Sequence, residues 1–132
     1  MNDMRWECGK DGCFNVLRRL KFHVFDSCFP GRINFTDVDG LVEVNGHFLG
    51  LEWKSGDGRG LSTGQRLCYE QLTRFPRFVM VLVRGNAKDM SVEEFCVIQN
   101  GSLGGWESGD LAALKGRIQR WARRVRRLPR VA

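Results

Sequence analysis

The chain has 132 residues, 42% of them hydrophobic and 27% charged, with a formal net charge of +6. This length suits one domain with a buried core, and we expect residues 1–132 to fold as a single unit. No apolar run is as long as a membrane span, and residues 1–7 lack the basic-then-apolar order of a signal peptide, so the sequence predicts a cytoplasmic protein without a membrane partner.

The five cysteines are odd in number and irregularly spaced, which favours reduced thiols over a disulfide framework. The candidate ligands for a zinc ion are Cys8, Cys13, His23 and Cys28. Their spacing matches no Cys-x-x-Cys knuckle, and cysteine is often a small buried hydrophobic residue. We therefore favour free thiols over a zinc site.

Helix-like and strand-like segments alternate along the chain. Residues 12–21 suit a first helix, which residues 22–26 either extend or follow as a short strand, and Phe29-Pro30-Gly31 ends that segment. Residues 36–44 and 47–54 have the apolar pattern of strands, and Asn45-Gly46 between them is the strongest short signal for a hairpin turn.

The two-residue turn predicts a register for this hairpin. If Val44 pairs with His47, counting outward places Asp39 opposite Glu52 and Asp37 opposite Lys54. Cross-strand partners lie about 5 Å apart on one face of a sheet. Two carboxylates would then project beside an ammonium group, and a hard divalent cation such as Mg²⁺ would relieve their repulsion.

Further along, residues 55–60 form a glycine-rich loop and residues 62–74 a second helix that stops ahead of Pro76. Residues 78–83 predict a buried strand, and residues 92–99 predict an edge strand. The sequence therefore predicts an α/β fold in which helices flank a mixed central sheet.

The C-terminal region contains the excess of positive charge. Residues 101–132 hold eight Lys and Arg against two Asp and Glu, so the net charge of +6 resides there. Residues 108–128 predict an amphipathic helix that Ser108 or Asp110 caps and Pro129 ends. Its apolar face is formed by Leu111, Leu114, Ile118, Trp121, Val125 and Leu128. The opposite face suits phosphate, because each arginine offers a planar fork of donors.

Asp39 followed by Glu52-Trp53-Lys54 resembles the motif of the PD-(D/E)XK nuclease superfamily. Gln65 and Tyr69, the only tyrosine, resemble the Gln-x-x-x-Tyr motif of its RecB-like branch. The resemblance covers about residues 12–84, and it departs from the usual pattern where Val38 stands in place of a proline.

This resemblance implies a restriction-endonuclease-like fold and a small Mg²⁺-dependent deoxyribonuclease of bacteriophage or prokaryotic type. Asp39, Glu52 and the Trp53 carbonyl would hold Mg²⁺, for which Mn²⁺ can substitute, and Lys54 would position the attacking water. A further acidic residue on the first helix is common in the family, and Glu7 and Asp11 are the candidates. Nucleic-acid contacts are expected from Arg59, Arg117, Arg120, Arg123, Arg124 and Arg127.

The sequence leaves alternatives open for the charged residues, for Gln65 and for the activity. The charged residues of the hairpin could form a solvated sheet face, and Gln65 could cap the second helix together with Ser62 instead of serving the site. The chain could also be a junction-resolving or partner-dependent nuclease, a homodimer, or a non-catalytic DNA-binding module. The basic helix could also be a solvated face or bind a membrane or a partner protein, although the candidate nuclease site in the same chain favours nucleic acid.

Overall fold

The computed structural model describes residues 20–55 and 60–130. The chain divides into two compact units, residues 1–35 and residues 36–132. In the first unit, a 3₁₀ helix spans Phe22–Cys28, and the extended Phe29 follows it, as the Phe29-Pro30-Gly31 break predicts. The rings of Phe22, Phe25 and Phe29 surround Phe35 at centroid distances of 5.8, 5.7 and 5.4 Å.

Parts of the predicted N-terminal features lie outside the described residues. These are residues 12–19 of the first helix, together with Cys8, Cys13, Glu7 and Asp11. Residues 20 and 21, at the end of that predicted helix, are not helical.

The second unit contains one mixed sheet of six strands in its described part. The strands are β1 (Gly40–Val44), β2 (His47–Lys54), β3 (Phe78–Asn86), β4 (Ser91–Gln99), β5 (Ser102–Leu103) and β6 (Glu107–Ser108). Their order is β1-β2-β3-β4-β5, with β6 also paired to β4. Among the described strands, only β2 and β3 run parallel, and helix α1 (Thr63–Leu72) connects them. This confirms the α/β class and the mixed sheet.

The hairpin turn has the backbone that the Asn-Gly pair predicts. Asn45 and Gly46 have φ angles of 53° and 79°, the left-handed conformation that a tight two-residue hairpin requires. The predicted register is confirmed from Val44–His47 onward. The ladder ends at Gly40–Leu51, so the predicted strand pairs of Asp39 with Glu52 and of Asp37 with Lys54 are wrong.

Alternation along the strands gives the sheet two apolar faces. On one face, Leu49, Val81 and Val83 pack beneath helix α2 (Leu111–Arg126). On the other, Met80 and Leu82 pack with Tyr69 of α1. The face that bears Glu52 and Lys54 is therefore covered by helix α1, which argues against the alternative of a solvated sheet face.

Strand β4 is longer and more central than predicted. It spans Ser91–Gln99 and pairs with β3 on one side and with the short strands β5 and β6 on the other. The expectation of an edge strand here is wrong, because two-residue strands are too short to be recognised from sequence.

Helix α2 has the apolar face that its periodicity predicts. Leu114, Trp121 and Val125 are buried, whereas Leu128 is exposed beyond the helix end. The Asp110 side chain accepts a bond of 2.9 Å from the Ala113 amide and caps the helix. Among the described residues, no helix is long and apolar enough to cross a lipid bilayer.

Candidate active site

Glu52 is a buried carboxylate near the end of β2, and only 4% of its surface is exposed. Three donors surround it. Oε2 accepts a hydrogen bond of 2.9 Å from the Tyr69 hydroxyl, and Oε1 accepts one of 3.1 Å from Gln65 Nε2. Lys54 Nζ lies 3.3 Å from Oε1. These donors compensate for the desolvation of the carboxylate, which would otherwise be costly.

Gln65 belongs to both the start of α1 and this cluster. The side-chain oxygen of Gln65, Oε1, accepts a hydrogen bond of 3.3 Å from the backbone N–H of Ser62. The backbone N–H of Gln65 donates to Ser62 Oγ at 3.2 Å, and the two bonds together form a capping box. The same oxygen accepts from Lys54 Nζ at 3.0 Å, while Nε2 donates to Glu52. One side chain therefore both caps α1 and contacts Lys54 and Glu52, because its amide oxygen has two lone pairs.

Tyr69 supplies the most deeply buried polar group of the cluster. It lies one turn after Gln65 on the same face of α1, as the spacing of four predicts, and it is fully buried. Burial, followed by the hydrogen bond to Glu52, raises the pKa of Tyr69 well above its usual value. The hydroxyl therefore stays protonated and acts as a hydrogen-bond donor.

Asp39 lies at the edge of the cluster, beside β2. Its Oδ2 accepts a hydrogen bond of 2.7 Å from the Trp53 amide, so the side chain continues the interaction where the β1 ladder has stopped. The negative charge of Asp39 also contributes to the raised pKa of Tyr69, so Asp39 and Glu52 act on the same hydroxyl. Asp37 meets the site through its backbone, since its carbonyl oxygen lies 3.4 Å from the Tyr69 hydroxyl.

A neighbouring ion cluster extends the site across β3 and β4. Arg84 is the Cα partner of Lys54, and Glu94 is the Cα partner of Arg84. Arg84 contacts Glu94 at 2.9 Å and Glu93 at 2.7 Å, and the hydrogen bond with Glu94 raises the pKa of the guanidinium. Sequence reasoning did not identify these residues, although an arginine directly after the apolar run of β3 was a usable signal.

The oxygen atoms of Asp39, Glu52 and the Trp53 carbonyl are few in number, but they are of the type that binds hard cations. Among residues 20–55 and 60–130, no group of three or more His, Cys, Asp or Glu side chains could hold a metal ion. Mg²⁺ is usually bound through one or two carboxylates together with water molecules. Within the described residues, Asp39 Oδ1 has no partner, and the exposed position of Asp39 leaves it accessible. Asp39, Glu52 and the Trp53 carbonyl thus offer oxygen atoms, which is the type of ligand that Mg²⁺ prefers.

The predicted nucleic-acid contacts lie elsewhere. Arg59 falls outside the described residues. Arg117 forms an ion pair of 3.1 Å with Glu107. The four other predicted arginines lie on α2 or at its C-cap, and α2 packs on the sheet face opposite Glu52 and Lys54. They are Arg120, Arg123, Arg124 and Arg127.

Comparisons with protein-family models, with curated proteins and with solved structures gave no match to this chain.

Proposed function

We propose that the chain is a Mg²⁺-dependent nuclease that hydrolyses phosphodiester bonds of DNA. The observation that supports it best is the cluster around Glu52, in which Lys54, Gln65 and Tyr69 all contact one buried carboxylate. These are the residues of the PD-(D/E)XK resemblance, brought together by two separate elements. The mixed sheet, with a parallel β2–β3 pair and helices on both faces, is compatible with a restriction-endonuclease-like fold.

Fold stability alone is a weak explanation for such a cluster. Replacing a buried ion pair by well-packed apolar residues is often neutral or stabilising, so buried charges are poor evidence of a stabilising role. The cluster also lies at the end of β2, where 23% of the Lys54 side chain is exposed. Part of the Lys54 side chain is therefore accessible from solvent.

The residues divide the chemistry between them. Asp39 and Glu52, with the Trp53 carbonyl, would hold the cation, which when bound lowers the pKa of water and polarises the phosphate. Lys54 has three N–H donors, and contacts with Gln65 and Glu52 use two of them. The third can orient a water molecule or stabilise negative charge on the phosphate. Gln65 and Tyr69 position Lys54 and Glu52.

Asp39→Asn gives the cleanest test of this proposal. The asparagine oxygen can still accept the bond from the Trp53 amide, so the variant removes a charge while keeping the local structure. We expect a loss of at least about a hundredfold in kcat on DNA with Mg²⁺ or Mn²⁺. The matched control is Glu70→Gln, which neutralises a carboxylate on α1 that pairs with Arg66. Circular dichroism should show that both variants are folded.

Lys54→Ala separates positioning of water from metal binding. We expect it to lower kcat by about a hundredfold or more while retaining Mn²⁺ binding by calorimetry, since the lysine is not a ligand. Asp39→Asn should instead weaken Mn²⁺ binding. Full activity in EDTA, or unaltered cleavage by both variants, would overturn the proposal.

A non-catalytic DNA-binding module is the second candidate. One observation favours it. Both oxygens of Glu52 already accept hydrogen bonds from the protein, so they have less capacity left to bind a metal ion. DNA binding without cleavage of supercoiled, linear or branched DNA, under either metal, would favour this candidate over the nuclease. Cleavage confined to branched DNA would instead indicate a junction-resolving enzyme.

A further inference from the structure

The basic face of α2 is separated from the candidate active site by the sheet itself. Helix α2 packs through Leu114, Trp121 and Val125 on the face formed by Leu49 and Val81. Glu52 and Lys54 project from the other face, where α1 covers them. A phosphate bound to exposed side chains of α2 therefore lies across the sheet from these residues.

The two sites are also separated along the strands. Asn45 Nδ2, in the hairpin turn, donates to the carbonyl oxygens of Val125 at 2.8 Å and Leu128 at 2.9 Å. The C-terminal end of α2 is therefore fastened at the start of β2, whereas Glu52 lies five residues further along that strand. At about 3.3 Å per residue, this end of the helix lies roughly 17 Å from Glu52 along the sheet.

Three arginines of α2 and the arginine that caps its C-terminus form a stripe that we call the arginine ridge: Arg120, Arg123, Arg124 and Arg127. Their spacings of three and four residues place them on one side of the helix. All four are exposed, and among the described residues none of them has an acidic partner, unlike Arg117. Together with Leu128 they line an open groove of about 470 Å³.

Helix stability explains only part of this ridge. Cations in the last turn interact favourably with the helix dipole, which accounts for Arg123 and Arg124. It does not account for Arg120, which precedes that turn. Like charges three or four residues apart destabilise a helix, so a cluster of unpaired arginines is expected where an anion neutralises it.

We propose that the arginine ridge is a second nucleic-acid site, which binds phosphates of a DNA segment other than the one being cleaved. Binding of DNA by the ridge does not depend on the proposed nuclease activity, whereas cleavage of the other segment does. The ridge contacts phosphate and not base edges, so it adds affinity without sequence preference.

The geometry also specifies the substrate class. One base pair advances a duplex by about 3.4 Å, so the distance from Glu52 to the C-terminal end of the ridge corresponds to about five base pairs along the sheet, and the thickness of the sheet adds to it. A small phosphodiester can occupy the active site but cannot reach the ridge. Polymeric DNA long enough to pass around the sheet can occupy both sites.

The test replaces the four ridge arginines by glutamine, a good helix former that leaves the buried face of α2 unchanged. The control variant removes the same charge elsewhere, through Arg32→Gln, Arg66→Gln, Arg74→Gln and Lys88→Gln. Each protein is assayed on a small chromogenic phosphodiester, the p-nitrophenyl ester of thymidine 5′-monophosphate, and on a duplex of about 40 base pairs, which is long enough to span both sites.

We expect the ridge variant to lose roughly tenfold or more in kcat/KM on the duplex, relative to its change on the small ester. The control variant should show no such selective loss. Equal losses on both substrates would mean that the ridge is part of the active site, and a ridge variant that matches the control would mean that it binds no DNA. Either result overturns the inference.

Binding measured in EDTA keeps this test separate from the proposed nuclease activity. By fluorescence anisotropy, the ridge variant should bind the duplex more weakly, and each lost contact should flatten the slope of log affinity against log salt by about 0.9. If no protein cleaves either substrate, the nuclease proposal has failed, and this measurement alone decides the inference. If the quadruple variant is unfolded, the double variant Arg120→Gln/Arg123→Gln is measured in its place. An unchanged slope of log affinity against log salt in that variant would then overturn the inference.

Discussion

Tyr69 shows how a single buried group links the site to the stability of the fold. The folded protein keeps the Tyr69 proton above the ordinary tyrosine pKa, because burial and the bond to Glu52 both disfavour the anion. The unfolded chain releases that proton near pH 10. Below about pH 10 the interaction contributes its full stability, and as the pH rises further the folded state becomes progressively less stable.

An alkaline titration tests this directly. Tyr69 is the only tyrosine, so the ultraviolet absorbance of tyrosinate reports on this residue alone. We expect the tyrosinate signal to appear together with the loss of the circular dichroism of the folded state. In Tyr69→Phe, stability should vary less with pH above about pH 10. Tyrosinate in a protein that remains folded would contradict the assignment of Tyr69 as a permanently neutral donor.

Among the helices and strands, the start of α1 and the candidate site both depend on the side chain of Gln65. Ser62→Ala removes the Ser62 side-chain bond of the capping box and should cost about 1 kcal/mol of unfolding free energy. Gln65→Ala removes the other half of the box and also the contacts with Glu52 and Lys54. We expect it to cost more, by about 1–3 kcal/mol for a buried group left with fewer partners.

The same pair separates capping from positioning. Urea denaturation gives the two stabilities, and DNA cleavage gives the two activities. Ser62→Ala should retain most of the activity of the parent, whereas Gln65→Ala should lower kcat more than KM rises. Equal effects of the two substitutions on activity would show that Gln65 acts only as a helix cap.

The hairpin turn stabilises α2 through Asn45. Asn45→Gly keeps the left-handed backbone and loses both bonds to the helix carbonyls, which should cost about 1–3 kcal/mol for two neutral hydrogen bonds. Asn45→Ala should cost about 1–2 kcal/mol more, because alanine disfavours a φ of 53°. Thermal or urea unfolding of the two variants measures the difference. Equal stability would mean that the turn relaxes to a different conformation.

Features that depend on residues close together in the sequence could be predicted, whereas features that depend on long-range pairing or packing could not. The register followed from Asn45-Gly46, and α2 followed from apolar residues at spacings of three and four. The position of Asp39 depended on where the β1 ladder stops, which no local pattern specifies. The contact between Arg84 and Glu94 required the pairing of β3 with β4, and the cover over Glu52 required the packing of α1 on the sheet.

At the scale of the molecule, charge is distributed so that two kinds of substrate should respond differently to salt. Raising the salt concentration screens phosphate contacts, so kcat/KM of the parent on a long duplex should fall steeply. The small chromogenic phosphodiester reaches only the active site, and its hydrolysis should vary much less. Parallel salt profiles for the two substrates would show that remote arginines contribute nothing to turnover on DNA.

The attachment of α2 to the first hairpin has a consequence for synthesis on the ribosome. The hairpin is local and can form as soon as its own residues emerge, whereas the bond from Asn45 to Val125 joins residues 80 positions apart. Until residues 111–128 have been translated, Leu49, Val81 and Val83 have no helix to cover them. The nascent chain thus passes through a stage with one apolar sheet face uncovered, when it is most prone to aggregation and most suited to a chaperone.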